Sequence, residues 1–288
     1  MDIRNSQNFL HSKKLVKRLV DESNLNNEDI VYEIGPGKGI ITAELASCCK
    51  EVHAIELDKE LYDKLKDKFK DNPNIFLYNK DFLKMRLPNF DYKIFSNIPF
   101  NLTADILTKL LTNDNSPKDM YIIMQYEAIL KYAGYPYYSD SLKSLMFKPI
   151  YEIKIVHEFE MSDFTPKPNV AIDMAHFHKK EYCDIKNASI KEYWDFLAYV
   201  YSAKGQSFKE KTKKVFSYEQ QKRLRKSLGI RDEDRISCWT YKQWLGLFDC
   251  YNKLVCKEKK ALVIGAYKRL LAEQSKVDKI HRNRTSRL

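Results

Sequence analysis

The sequence predicts an α/β fold, a doubly wound and mainly parallel sheet domain followed by a small all-helical domain. Three observations carry this. Short apolar runs of strand length alternate with amphipathic helical segments over the first 180 residues, the pattern of βαβ crossovers. A glycine-rich turn, Gly35-Pro36-Gly37-Lys38-Gly39, joins the first of these runs to a helix. Beyond about residue 180 the apolar spacing changes to a helical period.

In order along the chain, Leu15, Val16, Leu19 and Val20 repeat at helical spacing and predict an amphipathic helix over 13–23. Residues 30–34 form the first strand and 40–47 the helix after the glycine turn. Strands at 52–57, 75–78, 92–96 and 120–125 alternate with helices at 59–69 and 103–111. Two further strand-like runs, 150–160 and 170–177, have no long helix between them, so they are expected to join the sheet as an antiparallel pair. Tyr193, Phe196, Leu197 and Val200, then Trp244, Leu245, Leu247 and Phe248, mark helices of the second domain. The boundary is placed near 179–187, giving domains 1–180 and 181–288.

Charge divides the chain in the same place. Residues 1–180 hold 25 Lys and Arg against 26 Asp and Glu, a net of −1, whereas residues 181–288 hold 25 against 13, a net of +12. A basic block attracts polyanions by Coulomb steering and counterion release, so nucleic acid is the expected partner of the second domain. No apolar run approaches the roughly 18 residues that cross a bilayer, and the N-terminus has no signal-like apolar stretch, so a cytoplasmic protein without membrane contact is expected. The six cysteines form no Cys-x-x-Cys pair and no zinc spacing with histidine, so neither a disulfide frame nor a metal is expected.

Ligands of open α/β sheets bind at the carboxyl ends of the strands, where the strand order reverses. Four short segments should converge there. In the first, Glu33 to Gly39, the spacing is Gly-x-Gly-x-Gly, which departs from the dinucleotide fingerprint and lacks the Lys-Ser/Thr of a phosphate loop. Gly35 and Gly37 let the backbone approach a ligand closely. The second segment ends in Glu56, a carboxylate placed to accept both hydrogen bonds of a ribose diol. The third holds Asp81, placed to accept from an exocyclic amine such as that of adenine. The fourth, Ser96-Asn97-Ile98-Pro99-Phe100, is the sharpest. The Asn97 amide oxygen and the backbone carbonyl near Pro99 could accept both hydrogens of an aromatic amine while Phe100 stacks on its ring. Taken singly, each segment also fits an ordinary turn at a strand end.

Together with Ser6-Gln7-Asn8-Phe9-Leu10 and Phe164-Thr165-Pro166-Lys167-Pro168-Asn169-Val170, these segments resemble the S-adenosylmethionine-dependent rRNA adenine N6-methyltransferases, over nearly the whole chain. The resemblance implies a Rossmann-like class I methyltransferase domain. It implies cofactor contacts at Asn8, Leu10, Gly35, Gly37, Glu56, Asp81 and Asn97. It further implies a catalytic segment Asn97, Pro99 and Phe100, with Phe164 facing the target base from its other side. Ser-Gln-Asn-Phe, Asn-Ile-Pro-Phe and the stretch 235–248 look like the Erm branch, which methylates 23S rRNA and confers macrolide, lincosamide and streptogramin B resistance. The expected partner is then 23S rRNA before ribosome assembly is complete, and the expected state is a monomer. The 16S rRNA dimethyltransferase branch and a non-catalytic nucleic-acid-binding protein on the same fold stay open. A basic tail, 257–288, departs from compact members of the family.

Overall fold

The computed structural model describes residues 8–186 and 188–276. They form two compact units. The first comprises the chain up to Tyr138 together with Ile150–Tyr182, and the second comprises Ser139–Pro149 with the chain from Cys183 onward. The sequence pattern places a single boundary near residue 180; the structure instead assigns 139–149 to the helical unit. The reason is local: Trp194 Nε1 donates to Met146 O at 2.8 Å, and Phe147 packs edge-on to Trp194.

The first unit is built on a seven-stranded sheet. Its strands are β2 (Ile30–Ile34), β3 (Glu51–Glu56), β4 (Ile75–Asn79), β5 (Lys93–Asn97), β6 (Asp119–Gln125), β7 (Tyr151–Glu158) and β9 (Ile172–Lys179), in the order β4-β3-β2-β5-β6-β9-β7. The strands from β2 to β6 are parallel, and β9 pairs antiparallel with both β6 and β7, as the sequence predicts. Helices α1 (Lys13–Asp21), α2 (Ile40–Cys48), α3 (Lys59–Lys68) and α4 (Thr103–Thr112) fall where the apolar spacing places them. Ser12 caps α1 through the Leu15 N–H, and Asp58 caps α3 through the N–H groups of Glu60 and Leu61. Val31, Val52, Ile94, Phe95 and Ile122 are fully buried in the centre of the sheet, each such side chain contributing about 1.5–3 kcal/mol by leaving water.

Three elements of this unit have no counterpart in the sequence pattern. A two-stranded ribbon pairs β1 (Phe9–Leu10) with β8 (Phe164–Thr165), and α5 (Tyr126–Ala133) follows β6 directly. The ribbon joins the two ends of the unit's sequence and covers the carboxyl side of β5.

The second unit holds α6 (Leu142–Phe147), α7 (Ile190–Ser202), α8 (Phe208–Thr212), α9 (Tyr218–Leu228), α10 (Tyr241–Leu254), α11 (Lys257–Lys260) and α12 (Ala266–Lys276). Capping boxes open five of them, Ser141 with Ser144, Ser189 with Glu192, Ser207 with Glu210, Ser217 with Gln220 and Thr240 with Gln243. Each reciprocal pair satisfies two otherwise orphaned backbone donors. Tyr193, Phe196, Leu197, Trp244, Leu247 and Phe248 make the core. Part of the stretch expected as a tail is packed structure: Asp195 accepts from Gly265 N at 2.7 Å and Tyr267 N at 2.9 Å, which fixes the start of α12 beside α7. Residues 277–288 lie outside the described residues.

Candidate active site

The chain runs from β2 outward through β3 and β4, then returns to β5 on the other flank of β2. The order therefore reverses between β2 and β5, and a crevice opens at their carboxyl ends. The ladder between these two strands stops at Tyr32 and Ile94. Beyond it, Ser96 Oγ donates to Ile34 O at 2.6 Å and accepts from Ile34 N at 3.2 Å. The hydroxyl thus satisfies both backbone groups of Ile34 while the strand tips separate.

The glycine turn lines this crevice. Gly37 has φ +58°, and a Cβ built on it would lie 2.5 Å from Phe9 Cε1, so only glycine lets the ribbon close on the turn. Lys68 Nζ, from α3, donates to Lys38 O at 2.8 Å and Gly39 O at 3.2 Å and holds the loop from behind. Glu56 ends β3 buried, with Oε2 accepting Gly37 N at 3.1 Å and Oε1 accepting Asp58 N at 2.9 Å. Burial raises its pKa, opposed by those backbone donors. Each oxygen retains a second lone pair for a ligand hydroxyl. Asp81 Oδ1 accepts Leu83 N at 2.9 Å. The turn after Asp81 is held by Lys109 of α4, whose Nζ donates to Phe82 O at 2.7 Å, to Leu83 O at 2.9 Å and to Met85 O.

Two cavities adjoin here. The larger is lined by Gly35, Glu56, Leu57, Asp81, Phe82, Pro99 and Ile106 among others. The smaller is lined by Asn8, Phe9, Gly35, Asn97, Ile98, Pro99 and Phe100. Gly35 and Pro99 are walls of both. The larger has an apolar slot with a carboxylate on each of two loops and the bare backbone of Gly35 in its wall, which suits a nucleoside cofactor.

Asn97 Nδ2 donates to Asn8 O at 2.8 Å, and Asn8 Nδ2 donates to Pro166 O at 2.7 Å. This chain links β5, the ribbon and the segment after β8. It fixes the Asn97 amide, whose Oδ1 accepts no hydrogen bond among the described residues. None of the residues lining the smaller cavity is titratable.

Most sequence-predicted site residues converge on these two cavities: Asn8, Gly35, Asn97, Pro99 and Phe100 on the smaller, and Gly35, Glu56, Asp81 and Pro99 on the larger; Gly37 borders them through its bond to Glu56. Phe164, expected to face the target base, is 2% exposed and sits in the core with Val16, Leu19 and Phe95, edge-on to Phe159. Leu10 belongs to the same core, which leaves only its backbone for a ligand. The Pro99 carbonyl accepts Leu102 N at 3.0 Å in the turn that opens at Phe100, whereas the Ile98 carbonyl accepts none among the described residues. Ser6 and Gln7 lie outside the described residues.

Four further residues bear on the site: Lys68 and Lys109, which lie outside the four segments, and Ser96 and Glu33, which lie within them but to which the sequence assigns no role. Glu33 is 1% exposed, its Oε2 accepts from Thr42 Oγ1 at 2.6 Å, and burial pushes its pKa up to about 8. Its signal is an acid inside an apolar strand, Ile30-Val31-Tyr32-Glu33-Ile34.

The family model for ribosomal RNA adenine dimethylases matches residues 2–253. The chain belongs to this family. Its members are S-adenosylmethionine-dependent rRNA adenine N6-methyltransferases. Among curated relatives, an rRNA adenine N-6-methyltransferase of Limosilactobacillus reuteri is 31% identical, over 87% of this chain and 97% of its own length. Another of that name, from Bacillus anthracis, is 28% identical over 88% of both. The ribosomal RNA small subunit methyltransferase A of Mycoplasma mobile is 35% identical over 80% of this chain and 89% of its own. Among solved structures, the 23S rRNA methyltransferase ErmE superposes with a TM-score of 0.77 at 24% identity, covering 85% of this chain and 100% of that one. At that identity the match shows the fold, a class I methyltransferase sheet unit with a helical second unit. No described helix is long and apolar enough to cross a membrane.

Proposed function

We infer that this protein is an Erm-type enzyme that methylates N6 of one adenine in 23S rRNA and thereby confers macrolide, lincosamide and streptogramin B resistance. The observation that carries the catalytic part is the pair of adjoining cavities that share Gly35 and Pro99 as walls. One offers carboxylates to a nucleoside; the other presents an oriented amide beside an aromatic ring.

Gly35, Gly37, Glu56 and Asp81 would hold S-adenosylmethionine, with the Asn8 and Leu10 backbone closing over it. When bound, the cofactor supplies an electrophilic methyl group on a sulfonium. Asn97 Oδ1 accepts one N6 hydrogen of the adenine, and Ile98 O is the backbone acceptor for the other. Two acceptors draw the amine toward tetrahedral geometry and aim its lone pair, so rate comes from alignment. The absence of titratable groups from the lining fits this, since adenine N6 is not acidic enough to be deprotonated near pH 7. The base must leave its stack to enter, and Phe100 offers it a replacement face typically worth about 1–3 kcal/mol.

The second unit supports rRNA binding by charge. Among its basic residues, Lys211 donates to Tyr201 O and Ala203 O at the end of α7, and Arg225 pairs with Asp232. Lys213, Lys214, Lys222, Arg223 and Lys226 are the better phosphate ligands. The 23S assignment rests on the Ser-Gln-Asn-Phe and Asn-Ile-Pro-Phe segments and on residues 235–248. The 16S reading is favoured by one observation, the 35% identity to the small-subunit enzyme. Primer extension on 23S and 16S rRNA from cells expressing the protein tests the choice. A new stop on 23S supports the Erm reading, and stops confined to 16S overturn it.

A further inference from the structure

At the opposite end of the sheet from Asn97, Asp119 opens β6 and faces His178 across the antiparallel ladder, with His176 two residues along β9 on the same face. Asp119 is 2% exposed. Its Oδ1 lies 2.8 Å from His176 Nε2 and 2.8 Å from His178 Nδ1. The three donor atoms all lie within 4.8 Å of one another.

We propose that Asp119, His176 and His178 form a binding site for a first-row divalent transition cation of the zinc class. Two imidazole nitrogens and one carboxylate oxygen are the donors such an ion prefers over magnesium or calcium. Ligands of a tetrahedral ion with bonds near 2.0–2.1 Å stand about 3.3 Å apart, so each carboxylate–imidazole pair, at 2.8 Å, needs to open by about half an ångström. The donors are held in place. The His176 ring stacks on Tyr121 at 4.3 Å and 3°, and the Tyr121 hydroxyl accepts from Asn24 N at 3.0 Å. The side chain of His178 is 44% exposed, which provides an entry path and a fourth position for water.

Sequence spacing gives no sign of this site, because its donors come from strands 57 residues apart in sequence. It is also separate from methyl transfer. Asn97 lies level with Ile123, four residues along β6 from Asp119, or about 13 Å at strand rise.

The test is calorimetric titration of chelator-stripped full-length protein with zinc chloride, repeated with cobalt(II) and followed by visible absorption. One zinc per chain is expected, with cobalt bands free of thiolate charge transfer. That last readout excludes the free cysteines, several of them exposed. His178→Ala, at an exposed position, should weaken binding at least about tenfold, and His176→Gln with His178→Ala should abolish it, while methyl transfer stays at wild-type level. No binding at 1:1 stoichiometry, thiolate-type cobalt spectra, or unchanged zinc affinity in the double variant would overturn the proposal and leave the triad a hydrogen-bonded tie between β6 and β9.

Discussion

Replacing Gly37 with alanine tests whether the ribbon and the glycine turn act together. At φ +58° the new side chain carries the left-handed backbone cost, about 1–2 kcal/mol. It also carries a steric cost, because its Cβ would lie 2.5 Å from Phe9 Cε1 and 2.8 Å from Phe9 Cδ1, against an ordinary carbon separation of about 3.5–4.0 Å. The Phe9 ring must retreat by about 1 Å. Overpacking of this kind adds about 1–3 kcal/mol. Phe9 belongs to a two-residue strand with little slack to absorb the shift, while its neighbour Asn8 holds the Asn97 amide at 2.8 Å. Gly229→Ala supplies the control: its φ is +64° and its Cβ would meet nothing within 4 Å. It should show the backbone cost alone. The assays are denaturant unfolding of both variants and calorimetric titration with S-adenosylhomocysteine. Gly37→Ala should be the less stable by at least about 1 kcal/mol and should bind the ligand more weakly. Equal destabilisation of the two variants, with wild-type ligand affinity in Gly37→Ala, would refute the coupling of Phe9, Gly37 and Asn97.

Glu33 makes stability depend on pH. Its folded pKa of about 8 exceeds the ordinary value of 4.5, so its contribution is full below about pH 4.5 and disappears as pH rises through 8. Glu33→Gln keeps an acceptor for Thr42 and should flatten the decline in stability between about pH 5 and 9 by an amount on the order of 4 kcal/mol; parallel curves would show that Glu33 does not titrate in this window. Phe100→Ala should lower kcat/KM for rRNA by the stacking energy, about 1–3 kcal/mol, with cofactor affinity kept, and Phe100→Tyr should stay near wild type; equal impairment of both would assign the ring to packing. Removing residues 277–288, which hold Lys279, Arg282, Arg284 and Arg287, should reduce the slope of log affinity against log salt by roughly 0.7–0.9 for each phosphate that this segment neutralises. An unchanged slope would mean that it touches no phosphate.

The sheet is legible in the sequence because each strand is a short apolar run and each crossover helix carries its own apolar face. The antiparallel partners β7 and β9 are legible from the missing helix between them. What escapes is set by long-range pairing. A ribbon of two residues on each side has no periodicity, so the meeting of Phe9 with Thr165 leaves no local trace. The segment Asn97 to Phe100 is legible as a motif, but which carbonyl it leaves free is not, since that depends on the turn that occupies Pro99 O. The base-facing role of Phe164 comes from the family resemblance alone, and its burial beside Phe159 follows from the ribbon's register, which the sequence does not display. Four capping boxes of the second unit, at the starts of α7, α8, α9 and α10, have Ser/Thr-x-x-Glu/Gln spacing, whereas the one on α6 uses Ser144 and has no such signature.

The most direct test is in vitro methylation of protein-free 23S rRNA with labelled S-adenosylmethionine, with the product digested to nucleosides and resolved by mass. Wild-type protein should yield N6-methylated adenosine, and Asn97→Ala should yield almost none while still binding S-adenosylhomocysteine. Full methylation by Asn97→Ala, or label on any atom other than adenine N6, would contradict the assignment of Asn97 to the reacting amine.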